Sequence, residues 1–250
     1  ILSHAHMDHS GLLPMLVKQG YKGPILCTSA TRDLCTYMLQ DSAKIQQSEV
    51  DFMLKRKKEV VLPLYGMEDV LPTISQMMTV PYNMKHNVCE GVSLTFLDAG
   101  HILGSAMIVL ELEENGNKKT LTFTGDLGRK GLPILKDPSY IDKTDILITE
   151  STYGNRFHKF IDDVDEYLED LLKKAIARGG KIIIPAFALE RTQEVVYYTH
   201  LLIKSGRIPK IPIYVDSPLA TNVTDVFRAH PECFDKEVYD EFFKNNSEKF

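Results

Sequence analysis

Apolar and polar positions change period several times along the chain, and the changes outline its elements. Ile1 and Leu2 read as the end of a buried strand. Leu12, Leu13, Leu16 and Val17 follow at helical spacing, with Ser10 as the predicted N-cap and Pro14 tolerable near the first turn. After Gly20 and Gly23 the pattern predicts a short strand from Pro24 to Thr28. Leu34, Tyr37, Met38, Ile45 and Val50 then mark a long helix, Gly66 to Ile74 a short one, and Met78 to Tyr82 an extended stretch. The middle third switches to period two. Val92 to Leu97, Ala106 to Glu113 and Thr120 to Thr124 alternate as half-buried strands do, and Glu113 to Asn117 supplies a Gly-containing turn between the last two. Strands of this kind deliver side chains from their ends to a shared edge.

From residue 144 the pattern changes again. Thr144 to Glu150 predicts a strand ending in a carboxylate, and Asp162 to Arg178 an acidic-to-basic helix closed by Gly179 and Gly180. Lys181 to Pro185 reads as a short buried strand, Leu189 to Ser205 as a helix, Ile211 to Asp216 as another strand, and Leu219 to Arg228 and Lys236 to Lys244 as helices. Strands alternating with helices at this spacing argue for a parallel α/β unit, effectively a second domain.

Composition narrows the picture further. A chain of 250 residues has room for one or two domains and buries a substantial core without staples. The net charge of -5 argues against a uniformly basic nucleic-acid coat, although bound metal ions would create a local positive centre. Lys55, Arg56, Lys57 and Lys58 form the strongest basic run, expected on a solvated helix face. Cys27, Cys35, Cys89 and Cys233 show no metal-binding spacing and read as reduced thiols of a cytoplasmic protein, with no membrane partner expected. The chain has no initiator Met and begins inside a motif, so preceding sequence is expected.

That motif carries the chemistry. His4, His6, Asp8 and His9 place three imidazoles and a carboxylate within six positions, and these are the ligands that borderline divalent cations prefer. The strand period puts His4 and His6 on one side, while the turn before the predicted helix swings Asp8 and His9 away. Two pairs aimed at neighbouring points suggest two metals. Two later strand ends supply further candidates. His101 lies between Gly100 and Gly104, and Asp126 between Gly125 and Gly128. Either alone would be an ordinary loop residue.

Taken in order, these motifs resemble those of the metallo-β-lactamase superfamily, beginning with its H-x-H-x-D-H signature at His4 to His9. Glu150-Ser151-Thr152-Tyr153-Gly154 resembles motif A of the β-CASP branch, whose members cut nucleic acids. Pro185 to Glu194 resembles the helix start of its inserted domain, and Asp216 to Ala220 fits the RNA-cutting group related to the endonuclease subunit of the cleavage-and-polyadenylation machinery. The fold this implies is α/β: an incomplete αββα sandwich over residues 1–155, lacking its N-terminal strands, and the N-terminal part of an inserted β-CASP domain over 156–250. The resemblance implies that His4, His6 and His101 hold one zinc ion, that Asp8 and His9 hold a second, and that Asp126 bridges them. Asp8 and Glu150 are the carboxylates it assigns to the chemistry, Glu150 orienting a motif B histidine expected beyond Phe250.

The implied activity is hydrolysis of phosphodiester bonds in single-stranded RNA by a water activated between two Zn2+ ions, with a homodimer as a candidate assembly. The isolated 250 residues are expected to be inactive. His158, His200 and His230 lack the context of a final metal ligand, and core or surface roles are expected for them. Arg191 and Ser217 are candidate phosphate contacts, Asp98 a candidate for orienting an imidazole, and Arg156 a candidate ion-pair partner of Glu150. Two other classes compete. A hydrolase of small thioesters or lactams predicts no inserted α/β domain after residue 155, and a non-catalytic scaffold of an RNA-processing complex predicts lost ligands, whereas six positions are occupied. A DNA-directed nuclease is a variant of the first reading.

Overall fold

A computed structural model describes residues 1–59, 61–157 and 164–241. Two compact units emerge, one of residues 1–150 with 225–250 and one of residues 151–224.

The first unit is built on two sheets. Strand β1 (Ile25–Cys27), buried along its length, pairs in parallel with β2 (Met77–Thr79). The second sheet has the order β3 (His86–Cys89), β4 (Val92–Asp98), β5 (Ala106–Glu114), β6 (Asn117–Phe123) and β7 (Ile146–Ile148), antiparallel up to β6 and parallel between β6 and β7. The three strands expected from the alternating middle third are β4, β5 and β6, joined by the expected turn. Leu26 from the first sheet and Val80 just after β2 meet Leu94, Phe96, Ala106 and Ile108 from the second, and this apolar layer is the core. Burying such side chains stabilises by about 1.5–3 kcal/mol each. Ile1 and Leu2 form no strand of their own, but residues 2 and 3 bridge the sheets. The Leu2 amide donates to the Leu26 carbonyl at 2.8 Å, and the Ala106 amide donates to the Ser3 carbonyl at 2.8 Å. His4 and His6 therefore leave from the seam between two anchored sheets.

The start of the first helix differs from expectation. Asp8 and His9 lie within α1 (Met7–Ser10) rather than in a turn preceding a helix, and Ser10 ends that turn rather than capping the next. The Ser10 hydroxyl donates to the carbonyls of Ala5 and His6 at 3.0 Å each, which closes the turn locally. Pro14 has no N–H to continue the ladder, so α2 (Leu13–Lys18) begins anew with proline in its first turn. The long helix expected around Leu34 to Val50 is α3 (Ser29–Lys55), whose N-cap Thr28 accepts from the Thr31 amide. Lys55 is its last residue, with the rest of the basic run just beyond. Helix α4 (Met67–Gln76) starts where Asp69 accepts from the Gly66 amide at 2.9 Å. Both α3 and α4 pack on β2, giving a helical layer over two facing sheets.

The second unit joins α5 (Val164–Ala177) to α6 (Arg191–Lys204) through buried Leu172, Leu202 and Ile208. Arg207 adds a polar brace, its Nε donating to Glu169 at 2.7 Å. Here two expectations fail. Lys181 to Pro185 and Ile211 to Asp216 make no ladder with any described residue, and Ile183 and Tyr214 are 90% and 86% exposed. Their β-branched composition is that of buried strands, but a strand exists only when a neighbour takes up its backbone N–H and C=O groups.

Helix α7 (Pro218–Ala229) leads from this unit into the C-terminal part of the first. There Phe227 and Phe234 pack with ring centroids 6.4 Å apart, and α8 (Lys236–Tyr239) is capped by Asp235, which accepts from the Val238 amide. The expected continuation of α8 to Lys244, and the start of the helix expected from Asp162, lie outside the described residues.

Candidate metal centre

Six side chains named from the sequence meet at one edge of the first unit. His4, His6, His101 and Asp126 present ligand atoms close enough together to share one ion, and Asp8, His9 and Asp126 form a second such group. Asp126 belongs to both, and its two oxygens face different ways. Oδ2 lies 3.7 Å from His4 Nε2 and 3.5 Å from His101 Nε2, while Oδ1 lies 3.3 Å from His9 Nε2. His9 Nε2 is also 3.5 Å from Asp8 Oδ2, and His101 Nε2 is 3.2 Å from His6 Nδ1. Each oxygen of Asp126 thus faces a different one of the two groups.

The strand ends and α1 set these positions. His101 follows β4, and its loop is tied down through its backbone: the Gly100 amide donates to Asp98 Oδ1 at 2.9 Å, and the amides of His101 and Ile102 donate to Ser105 Oγ at 3.1 and 3.2 Å. Asp98 thus steadies the loop through its backbone. Thr28 and Thr31 hydroxyls donate to the Gly104 carbonyl, pinning the same loop to α3. Asp126 follows β6, and the Gly128 amide two residues on donates to the Ala99 carbonyl at 2.9 Å. The two ligand-bearing loops are therefore in direct backbone contact. Glu150 follows β7 and accepts from the Leu127 amide at 2.9 Å, steadying the Asp126 loop from the other side.

The electrostatics favour neutral rings. His4 is 1% exposed, and burial, followed by the fields of His9, His6 and His101, pushes its pKa down to about 2. Burial also lowers His6, with His101 adding to the effect and Asp8 and Asp126 opposing it; it lowers His101 too, against Asp126 and Glu150. Neutral imidazoles keep a lone pair for a cation. His4 Nε2 is buried with no hydrogen-bond partner among the described residues, and leaving such an atom unpaired costs about 1–3 kcal/mol. A divalent cation would satisfy it, and the donor set of imidazole nitrogen and carboxylate oxygen fits zinc. Burial raises the thiols of Cys27 and Cys233 to about 12, so they stay protonated and unsuited to ligation.

The other named residues lie elsewhere. His230 is held between Asp33 and Glu232, with 2.8 Å to each. His200 is on α6, and His158 lies outside the described residues. Arg191 pairs with Glu194 at 2.6 Å, Ser217 Oγ accepts from the Ala220 amide, and Arg156 stacks over Tyr153. Residue reading alone passed over Ser3 and Ser105. Both are buried serines within four residues of a candidate histidine, a signal too common to single out without geometry.

A helical layer on two face-to-face sheets, with histidines and a shared aspartate at the sheet edge, defines the metallo-β-lactamase superfamily. Residues 192–250 match the Beta-Casp domain family. A ribonuclease of Thermus thermophilus is 36% identical over 250 residues, covering 99% of this chain and 52% of the relative. The transcription termination factor FttA of Methanosarcina mazei is 32% identical over 254 residues, covering 100% of this chain and 38% of the relative, and that of Thermococcus kodakarensis is 32% identical over 256, covering 100% and 37%. The chain thus spans about half of the Thermus relative and under two fifths of the archaeal ones. The fold is that of the β-CASP branch of the metallo-β-lactamase superfamily.

Proposed function

We propose that the chain carries the metal-binding edge of a zinc-dependent ribonuclease that hydrolyses phosphodiester bonds of single-stranded RNA in the cytoplasm. The observation that carries this reading is the buried Nε2 of His4, without a hydrogen-bond partner among the described residues, facing an aspartate whose two oxygens address two groups of side chains. The names of the relatives, a ribonuclease and a transcription termination factor, supply the substrate class. No described helix is long and apolar enough to cross a membrane.

In this proposal His4, His6 and His101 hold one zinc ion, Asp8 and His9 a second, and Asp126 both. The bound pair would supply a nucleophilic water at neutral pH and positive charge opposite the scissile phosphate. The residues do the rest. His4, His6 and His101 stay neutral because burial disfavours their protonation, so they do not compete with the cations for charge. The side chain of Asp8 is 77% exposed, so with one oxygen given to the second ion its other oxygen could exchange a proton with a neighbouring water. Glu150 holds the Leu127 amide and with it the Asp126 loop, and its charge opposes the lowering of the His101 pKa.

The test is cleavage of 5′-labelled single-stranded RNA by the full-length protein and by Asp126→Ala, with zinc content measured on both. Loss of activity by at least about a thousandfold, with zinc lost in parallel, is the expected result. Equal activity rejects the assigned centre. Cleavage of single-stranded DNA in preference to RNA would reject the substrate class and leave the centre standing.

A further inference from the structure

We propose that Ser3 is a positioning residue for the centre, its hydroxyl serving as the reversible partner that lets His4 turn a bare nitrogen toward a cation. The proposal rests on the metal reading above.

His4 has two ring nitrogens in different surroundings. Nδ1 lies 3.0 Å from Ser3 Oγ, and Nε2 has no partner among the described residues and points to Asp126 Oδ2 at 3.7 Å. A neutral imidazole carries one N–H, and which nitrogen bears it is set by the bond the other makes. With the proton on Nε2, Nδ1 accepts from the Ser3 hydroxyl and no lone pair faces the centre. With the proton on Nδ1, that N–H donates to Ser3 Oγ and the Nε2 lone pair faces Asp126, His9 and His101. A hydroxyl can both donate and accept, so it pairs with Nδ1 in either form and leaves the choice of tautomer to whatever meets Nε2. Alanine can support neither.

The surroundings confine that hydroxyl. Ser3 is 3% exposed, and its carbonyl is tied to the Ala106 amide. The loop that carries Asp126 presses on it: a Cβ at Gly125 would lie 2.9 Å from Ser3 Cβ and 3.0 Å from Ser3 Oγ. Ser3 is thus wedged between the ring it orients and the loop bearing the shared carboxylate, and a change at Ser3 reaches His4 and Asp126 together. Partners that orient a ligating histidine are worth about ten- to hundredfold in metal affinity.

The experiment compares zinc affinity, by competition with a chromogenic chelator, in the full-length wild type, Ser3→Ala and Asp126→Ala, with 15N shifts of the His4 ring recorded with and without zinc. Ser3→Ala should weaken zinc by about ten- to hundredfold while its circular dichroism matches wild type. In zinc-loaded wild type the Nδ1–H should be a slowly exchanging, hydrogen-bonded signal. Wild-type zinc affinity in Ser3→Ala overturns the proposal, provided Asp126→Ala loses zinc. If Asp126→Ala also keeps it, the centre itself is wrong. Should Ser3→Ala not fold, the wild-type signal decides: a rapidly exchanging Nδ1–H, invisible in the zinc-loaded protein, overturns the role of Ser3.

Discussion

Gly128→Ala tests whether contact between two loops sets the centre. A Cβ at Gly128 would lie 1.5 Å from the Gly100 carbonyl oxygen and 2.8 Å from the His101 amide nitrogen. A carbon needs roughly 3.3 Å from such an oxygen, so the loops would have to part by about 2 Å. The backbone bond from the Gly128 amide to the Ala99 carbonyl, 2.9 Å long, would break with them. Asp126 lies two residues before Gly128 and His101 directly after Gly100, and their facing atoms are 3.5 Å apart. Ligand distances in metal sites are held to within about 0.2 Å, so a shift near 2 Å removes a ligand outright. The expected outcome is a loss of zinc affinity by at least about a hundredfold, close to 2.7 kcal/mol, together with an overpacking cost of about 1–3 kcal/mol in the metal-free protein. Chelator competition measures the first and urea denaturation in EDTA the second. Gly180→Ala is the control, because nothing lies within 4 Å of a Cβ there. Zinc affinity in Gly128→Ala equal to that of the control would refute the reasoning.

Three further outcomes follow from the same geometry. Burial raises the Asp98 carboxyl from 3.8 to about 6, so the native state holds a proton that the unfolded chain has released, and stability present below pH 4 is lost as pH rises through 6, by up to about 3 kcal/mol. Asp98→Asn keeps an acceptor for the Gly100 amide without that loss, so its urea midpoint should equal wild type at pH 4 and exceed it at pH 7.5; equal midpoints at both would contradict the burial argument. Glu190 sits at φ 70° and ψ −61° with the Arg191 amide bonded to the Leu189 carbonyl at 3.0 Å, a strained γ-turn, and Glu190→Gly should stabilise by about 1 kcal/mol, seen as a melting temperature a few degrees higher, whereas a lower one would sink the strain reading. Around neutral imidazoles the centre offers the carboxylates of Asp8, Asp126 and Glu150, which repel phosphate unless cations offset them. Chelation should therefore weaken RNA binding by more than about tenfold, not cleavage alone, and filter binding that is unchanged by EDTA would refute this.

Much of the candidate centre was legible because the side chains that meet there are chemically unusual neighbours. His4, His6, Asp8 and His9 cannot be explained by packing, so their spacing alone carries the reading. His101 and Asp126 became legible only through the order of the motifs, since a loop histidine or turn aspartate is ordinary by itself. The supports were not legible. Ser3, Ser105 and the approach of Gly128 to Gly100 depend on pairings between residues far apart in sequence, and periodicity carries no information about such pairings. The misread start of the first helix has a local cause. Ser10 has the composition of an N-cap, but its hydroxyl finds two carbonyls behind it before it finds an amide ahead.

The second unit shows the converse limit. Lys181 to Pro185 and Ile211 to Asp216 have the apolar, β-branched composition of interior parallel strands, and they lie between helices at the spacing of such a sheet. Composition states what a segment can tolerate, whereas a ladder is a property of two segments at once. The alternating strands β4 to β6 escape this problem because short local turns bring each one its partner. Parallel strands wait for a crossover, and their burial is decided by elements far along the chain. That is why the meander that carries His101 and Asp126 follows the sequence pattern closely, while the exposed Ile183 and Tyr214 do not.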